Sequence, residues 1–306
     1  MITNLDPEAS LFLANVNRIQ QTLAQATAQV SSGLKIAVAS DAPDEIGTLL
    51  QLRADEASNT QVQSNLSLAQ TDAQTADSAL VSAILLMDRA TTLATQGATA
   101  TSTAATNAAL AQEVESLQAE MVSYSQTQVT GRYIFSGDLN GSPSYSLDLS
   151  APTGVDQLSN AASTVQIQNP AGGSFPASKT AQEIFDDQNP DGSPATDNVF
   201  AALNALRLAL TNNDGTAVTA SITNLQAASE HLNSMEAFYG TVEDQIQDAS
   251  SFSSSYDTEL QTEIGKTQDA DVTAAATILT EANTQLQAAY QSQGEMPKTS
   301  LFQFLG

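Results

Sequence analysis

The chain has 306 residues, with 34 Asp and Glu against 9 Lys and Arg; its formal net charge of -25 sets it against nucleic acid and anionic lipid, which repel a polyanion. It contains no Cys, which excludes disulfides, thiolate chemistry and Cys-based zinc sites together. Residues 1–10 lack the basic and apolar regions of a secretory leader, and the longest apolar stretches, such as residues 83–87, fall far short of the roughly 20 residues that span a bilayer, so neither a cleaved signal peptide nor membrane insertion is expected.

From the N-terminus, apolar residues recur at alternating spacings of three and four, the seam pattern of helices that wrap around one another. Phe12, Val16, Ile19, Leu23, Ala26 and Val30 form the first such run. Gly33 and Pro43 then interrupt the period, and the stretch between Gly33 and Gly47 reads as an extended connector. A second run holds Val62, Leu66, Ala69, Ala73, Ala76, Leu80, Ala83, Met87, Ala90 and Ala94, and a third Leu110, Val114, Leu117, Met121 and Tyr124. Small Ala at so many seam positions buries little area, at roughly 25 cal/mol per Å², so these helices need partners. Periodicity alone fits an intramolecular bundle as well as an intermolecular coiled coil.

Residues 131–198 differ in kind. Gly and Pro cluster in Asn140-Gly141-Ser142-Pro143, Asn169-Pro170-Ala171-Gly172-Gly173 and Asn189-Pro190-Asp191-Gly192, with strand-like pieces at residues 133–135, 144–149 and 164–168, so this segment reads as a small β-rich insert. A further helix follows with Val199, Leu203, Leu206 and Leu210 on one face. The seam pattern then returns in Leu225, Ala228, Leu232, Met235, Tyr239, Val242, Ile246 and Ala249, and again in Val272, Ala275, Leu279, Ala282, Leu286 and Ala289. The expected fold is mainly α: an elongated rod of long coiled-coil helices from both termini, with a small β-rich insert in the middle.

Candidate chemistry is sparse. The single His, His231, lies beside seam residues Ala228, Leu232 and Met235 and reads as a helix-surface residue, so no triad is proposed. The pairs Asp186-Asp187 and Asp55-Glu56 read as solvated charge, because adjacent residues do not face each other on a helix. Asp187-Gln188-Asn189-Pro190-Asp191-Gly192 opens like a calcium loop, but Asn198 stands where a bidentate Glu is needed, and a polar turn is expected. No catalytic, metal or cofactor site is expected.

Several motifs nevertheless carry a resemblance. Gln29-Val30-Ser31-Ser32-Gly33-Leu34-Lys35-Ile36 is similar to the SSGLRI signature after the first helix of bacterial flagellins, and Leu66-Ser67-Leu68-Ala69-Gln70-Thr71 to the start of their SLAQTAEGAL helix. Asp269-Ala270-Asp271-Val272 resembles DADYATE, and Ala282-Asn283-Thr284-Gln285-Leu286 falls where flagellins carry their final Ala-rich helix. The resemblance covers approximately residues 1–135 and 198–306. Within the flagellin family three features resemble the members that join hook to filament: Gly131-Arg132-Tyr133-Ile134-Phe135-Ser136-Gly137 (GxYIFSG), Ser40-Asp41-Ala42-Pro43 (SDDP, with Ala42 in place of an Asp), and Ser300-Leu301-Phe302-Gln303-Phe304-Leu305 (SLFDYL).

This resemblance implies a structural subunit of the bacterial flagellum, not an enzyme, that polymerises through terminal helices. It implies axial segments at residues 1–40 and 269–306, the two halves of a helical rod at 41–130 and 199–268, and an insert at 131–198. Its assembly interface is expected to draw on Phe12, Val16, Ile19, Leu23, Val30, Leu279, Leu286, Leu301, Phe302, Phe304 and Leu305. Expected partners are copies of itself, a neighbouring hook-associated protein, flagellin and a flagellar export chaperone, with export through the flagellar type III apparatus to an extracellular position at the hook–filament junction. Filament flagellin is the nearest alternative, and an adhesin or secreted enzyme carried on a flagellin scaffold is another. The resemblance also places Arg89, Leu93 and Glu120 where some flagellins meet innate immune receptors, although as residues they read as a solvated helix face.

Overall fold

A computed structural model of the chain describes residues 7–99, 102–161, 163–170 and 172–295. Four long helices dominate it: α1 (Pro7–Ser32), α2 (Ile46–Gly97), α6 (Gly215–Gln268) and α7 (Val272–Glu295). Between them come α3 (Ala104–Ser125), six short strands, α4 (Ala181–Phe185) and α5 (Val199–Thr211). Side-chain caps fix where several helices begin. Thr103 accepts from the Thr106 N–H, Asn198 from Ala201, Asp214 from Thr216 and Ala217, and Asp271 from Thr273 and Ala274, each satisfying backbone donors that the first turn leaves free.

The chain divides into two compact units, one of residues 59–255 and one made of both ends. In the first, the expected seams of α2, α3, α5 and α6 are buried together: Leu80, Met87, Val114, Met121, Leu203, Leu206, Leu225 and Leu232 share one core. Asn59 and Ser253, both buried, bond each other across α2 and α6.

The middle segment is tied to this core by aromatic side chains. Phe135 meets Phe185 edge-on at 5.7 Å and Tyr239 of α6 at 6.3 Å, while Phe200 of α5 stacks on Phe185 at 5.9 Å and lies 5.2 Å from Tyr145. Tyr145 donates its hydroxyl to buried Asp186 at 3.0 Å, and Asn198 donates to the same carboxylate at 2.8 Å. Burial, reinforced by the Asp186 charge, pushes the Tyr145 phenol well above its ordinary range, which keeps it a donor.

The strands form three antiparallel hairpins: β1 (Gln128–Val129) with β2 (Arg132–Tyr133), β3 (Tyr145–Leu147) with β4 (Val155–Gln157), and β5 (Gln166–Gln168) with β6 (Ser174–Pro176). The expected pieces contain β3 and β5 and meet β2 at Tyr133. They miss β1, β4, β6 and the capped turn α4. The first hairpin also starts earlier, at Gln128, because Thr130 and Gly131 turn it with φ of 50° and 79°, the two positive values of a type I′ turn.

In the second unit, α1 and α7 pack together and run antiparallel, because the end of α1 meets the start of α7. There Gly33, at φ 72°, ends α1 in the left-handed conformation, and its carbonyl accepts from the Ala270 N–H at 2.9 Å. The Lys35 and Ile36 amides donate to the Gln268 carbonyl, and Ile36, Ala42 and Leu49 form a small buried cluster with Ile46 and Ile264 packed on it. The residues between Gly33 and Pro43 are thus a connector pinned at both edges.

Candidate assembly surface

Along the α1–α7 pair, Val16 and Ala26 on one helix and Ala275 and Ala282 on the other are buried. Phe12, Ile19, Leu23, Val30, Leu279 and Leu286 are half-buried on the same stripes. The seam residues expected from the sequence therefore lie within this pair, where they bury each helix against its partner in the same chain. Leu301, Phe302, Phe304 and Leu305 lie outside the described residues.

A second set of apolar side chains stands off these stripes. Leu11 and Leu13 on α1, and Val272, Ile278 and Tyr290 on α7, are exposed, with Leu11 at 65% and Tyr290 at 53%. The three-four period does not include Leu11 and Leu13, because they flank Phe12 on either side. The signal that finds them is the apolar residues left over once a seam is assigned.

Charge is also distributed unevenly. The 26 residues of α1 carry one Glu and one Arg, and the 24 residues of α7 carry two Glu. In a chain of net charge -25, this pair of helices is a place where another copy can approach with little like-charge repulsion. Exposed apolar side chains on helices with little charge are suited to protein contacts.

The chemistry-bearing residues are occupied structurally. His231 is half-buried rather than a simple surface residue: its Nε2 lies 2.9 Å from the Glu183 carbonyl and its Nδ1 3.5 Å from the Asp197 carboxylate. In the loop from Asp187 to Asn198, Asp191 accepts from both the amide and hydroxyl of Ser193, and Asn198 caps α5 while donating to the Asp187 carbonyl. Asp186 is buried in the Tyr145 network and is not a solvated charge. Leu93 is fully buried, so it does not share an exposed face with Arg89 and Glu120. Arg89 pairs with Glu113, and Glu120 accepts from the Tyr124 hydroxyl. Among the described residues no helix is long and apolar enough to cross a membrane.

The bacterial flagellin N-terminal helical region matches residues 4–139, and the bacterial flagellin C-terminal helical region matches residues 222–305. The chain belongs to the bacterial flagellin family. Flagellin-family proteins are structural proteins, and this chain is not an enzyme. No curated relative matches the flagellin-family chain by sequence.

Solved structures share its fold. A protein of Vibrio parahaemolyticus described as a flagellar hook-associated protein is 19% identical, with a TM-score of 0.63 over 75% of this chain and 100% of that one. FlgL of Bacillus cereus is 15% identical, with a TM-score of 0.56 over 70% and 99%. Flagellar hook-associated protein 3 of Legionella pneumophila is 12% identical, with a TM-score of 0.59 over 71% and 98%.

Proposed function

We propose that this flagellin-family chain is a structural subunit that polymerises through its terminal helices where hook and filament join, and so supports swimming motility. The observation that carries polymerisation is the α1–α7 pair, which already satisfies its own seam and still presents Leu11, Leu13, Ile278 and Tyr290 to solvent on weakly charged helices. A second, lateral contact is drawn from the same helices in each neighbour, so identical subunits continue the array.

The junction position is favoured over the filament by the Gly131–Gly137, Ser40–Pro43 and Ser300–Leu305 motifs and by the fold shared with hook-associated proteins. The neighbours are then a further hook-associated protein on one side and flagellin on the other. The chain would leave the cell unfolded through the flagellar type III apparatus, escorted by an export chaperone, and fold outside. Absence of Cys suits a chain that travels unfolded, since no cross-link can form on the way.

Antibody labelling of isolated flagella with hooks attached tests the position. A single band where hook meets filament is expected. Label along the filament would move the chain to the filament role, and label absent from flagella would end the proposal.

A further inference from the structure

The β5–β6 hairpin leaves one of its two edges open. The Ala177 N–H donates to the Val165 carbonyl at 2.9 Å and the Asn169 N–H to the Gly173 carbonyl at 3.0 Å, with Ile167 opposite Phe175 between them. The odd-numbered residues therefore spend their backbone groups on β6. By the alternation of an antiparallel ladder, Gln166 and Gln168 turn their N–H and C=O groups to the opposite edge, where no described residue bonds them. The other outer edge of the hairpin is blunted, because Pro176 has no N–H to offer.

All four residues from Val165 to Gln168 line a groove of about 610 Å³, a size within the range of ligand sites. Its apolar lining includes Val62, Leu68 and Ala69 of α2, with Ile134 and Ile167. Leu68 and Val165 on its wall remain 54% and 46% exposed. Its only two charged residues, Asp72 and Arg132, neutralise each other in an ion pair at 3.1 Å.

We infer that this groove receives an extended segment of a second copy of the chain, which adds a strand to the open edge of β5. Backbone groups presented in alternation demand a strand rather than a helix, and the apolar lining holds every second side chain of that strand. A second copy is the neighbour that polymerisation places beside the groove, and the charge admits it there: two chains of -25 repel over most of their surface, and this groove is charge-balanced. Strand addition of an edge to a groove is heterologous and propagates from subunit to subunit. The inference rests on the polymerisation reading above and assigns it a contact away from the terminal helices.

Residue-resolved amide exchange on the full chain, free in solution and after incorporation into isolated flagella, tests it. In the free chain the Gln166 and Gln168 amides should exchange rapidly and the Ile167 amide slowly. After incorporation, protection of Gln166 and Gln168 should rise at least tenfold, together with that of α1 and α7. Protection gained along α1 and α7 while Gln166 and Gln168 stay fast would overturn the strand addition and leave the polymerisation reading standing. No gain in either place would overturn both. The Gln166→Pro, Gln168→Pro double variant removes only outward-facing donors and should incorporate at least tenfold less well; incorporation at the wild-type level would also overturn the inference.

Discussion

Asn59 on α2 and Ser253 on α6 hold each other by two hydrogen bonds although 194 residues separate them: the Asn59 amide donates to the Ser253 carbonyl at 2.9 Å, and the Ser253 hydroxyl donates to the Asn59 side-chain oxygen at 2.6 Å. Both are buried on a seam otherwise filled by apolar side chains, so this pair fixes the register of the outgoing and returning helices. Asn59→Ala removes both bonds and leaves the buried Ser253 hydroxyl without its partner, and should cost about 1–3 kcal/mol in urea denaturation. A double-mutant cycle with Ser253→Ala should return a coupling of about 0.5–3 kcal/mol; additive effects would show that the pair does not act as a unit.

Gly154, at φ 78°, presses on Gln118 of α3, whose amide donates to the Thr153 carbonyl at 3.0 Å. A β-carbon at Gly154 would fall inside the Gln118 amide, and the left-handed backbone would be strained as well. Gly154→Ala should lower the denaturation midpoint by the equivalent of about 1–3 kcal/mol. Gly141→Ala, where a β-carbon meets nothing and φ is not positive, should leave it unchanged.

Burial first, and then the carboxylates of Asp77 and Asp244, push Glu243 above the ordinary carboxylate range. An acid held above its unfolded pKa penalises the folded state once ionised, so the penalty is full at neutral pH and disappears as pH falls below the unfolded value. Glu243→Gln should therefore stabilise the protein at pH 7 by a few tenths of a kcal/mol after solvent screening, and less at high salt. Thermal melts at pH 7 and pH 3.5 check this: the stabilisation should vanish at the lower pH, and a gain there as large as at pH 7 would contradict the charge argument.

The helices were legible in the sequence because a 3-4 seam written in Leu, Met and Ala extends over many turns, as from Val62 to Ala94. The short strands were less so. Val155-Asp156-Gln157 and Ser174-Phe175-Pro176 are three residues each, mix polar with apolar, and owe their pairing to turns and to packing of the segment on α5 and α6. The capping box of α4 was readable as Thr180-Ala181-Gln182-Glu183 but lies in a segment whose Gly and Pro suggest only turns. The seam of the terminal helices was visible, but whether it faced the same chain or another was not, because periodicity records a partner without naming it. The exposure of Leu11 and Tyr290 emerges only once α7 is seen to occupy the seam of α1.

Glu183 completes that capping box and pairs with Lys179 at 2.9 Å. Burial raises its pKa, but the Thr180 amide and the Lys179 ammonium outweigh burial and leave it below the ordinary range. The resulting stability is present above the unfolded pKa and is lost as pH falls through the folded one. Glu183→Gln should flatten the loss of stability between about pH 5 and pH 3 relative to wild type, measured by urea midpoints across that range. An unchanged acid limb would show that the Glu183 charge does not stabilise the fold.

Incorporation of Leu13→Asp and Ile278→Asp variants into flagella tests most directly whether the exposed apolar side chains of the α1–α7 pair join subunits. Each substitution puts a carboxylate on a surface that is exposed in the free chain, where it should cost little, but desolvates that charge once a neighbour covers it, at several kcal/mol. The melting transition should be unchanged, with incorporation and swimming lost. Normal incorporation of both variants, with motile cells, would contradict it.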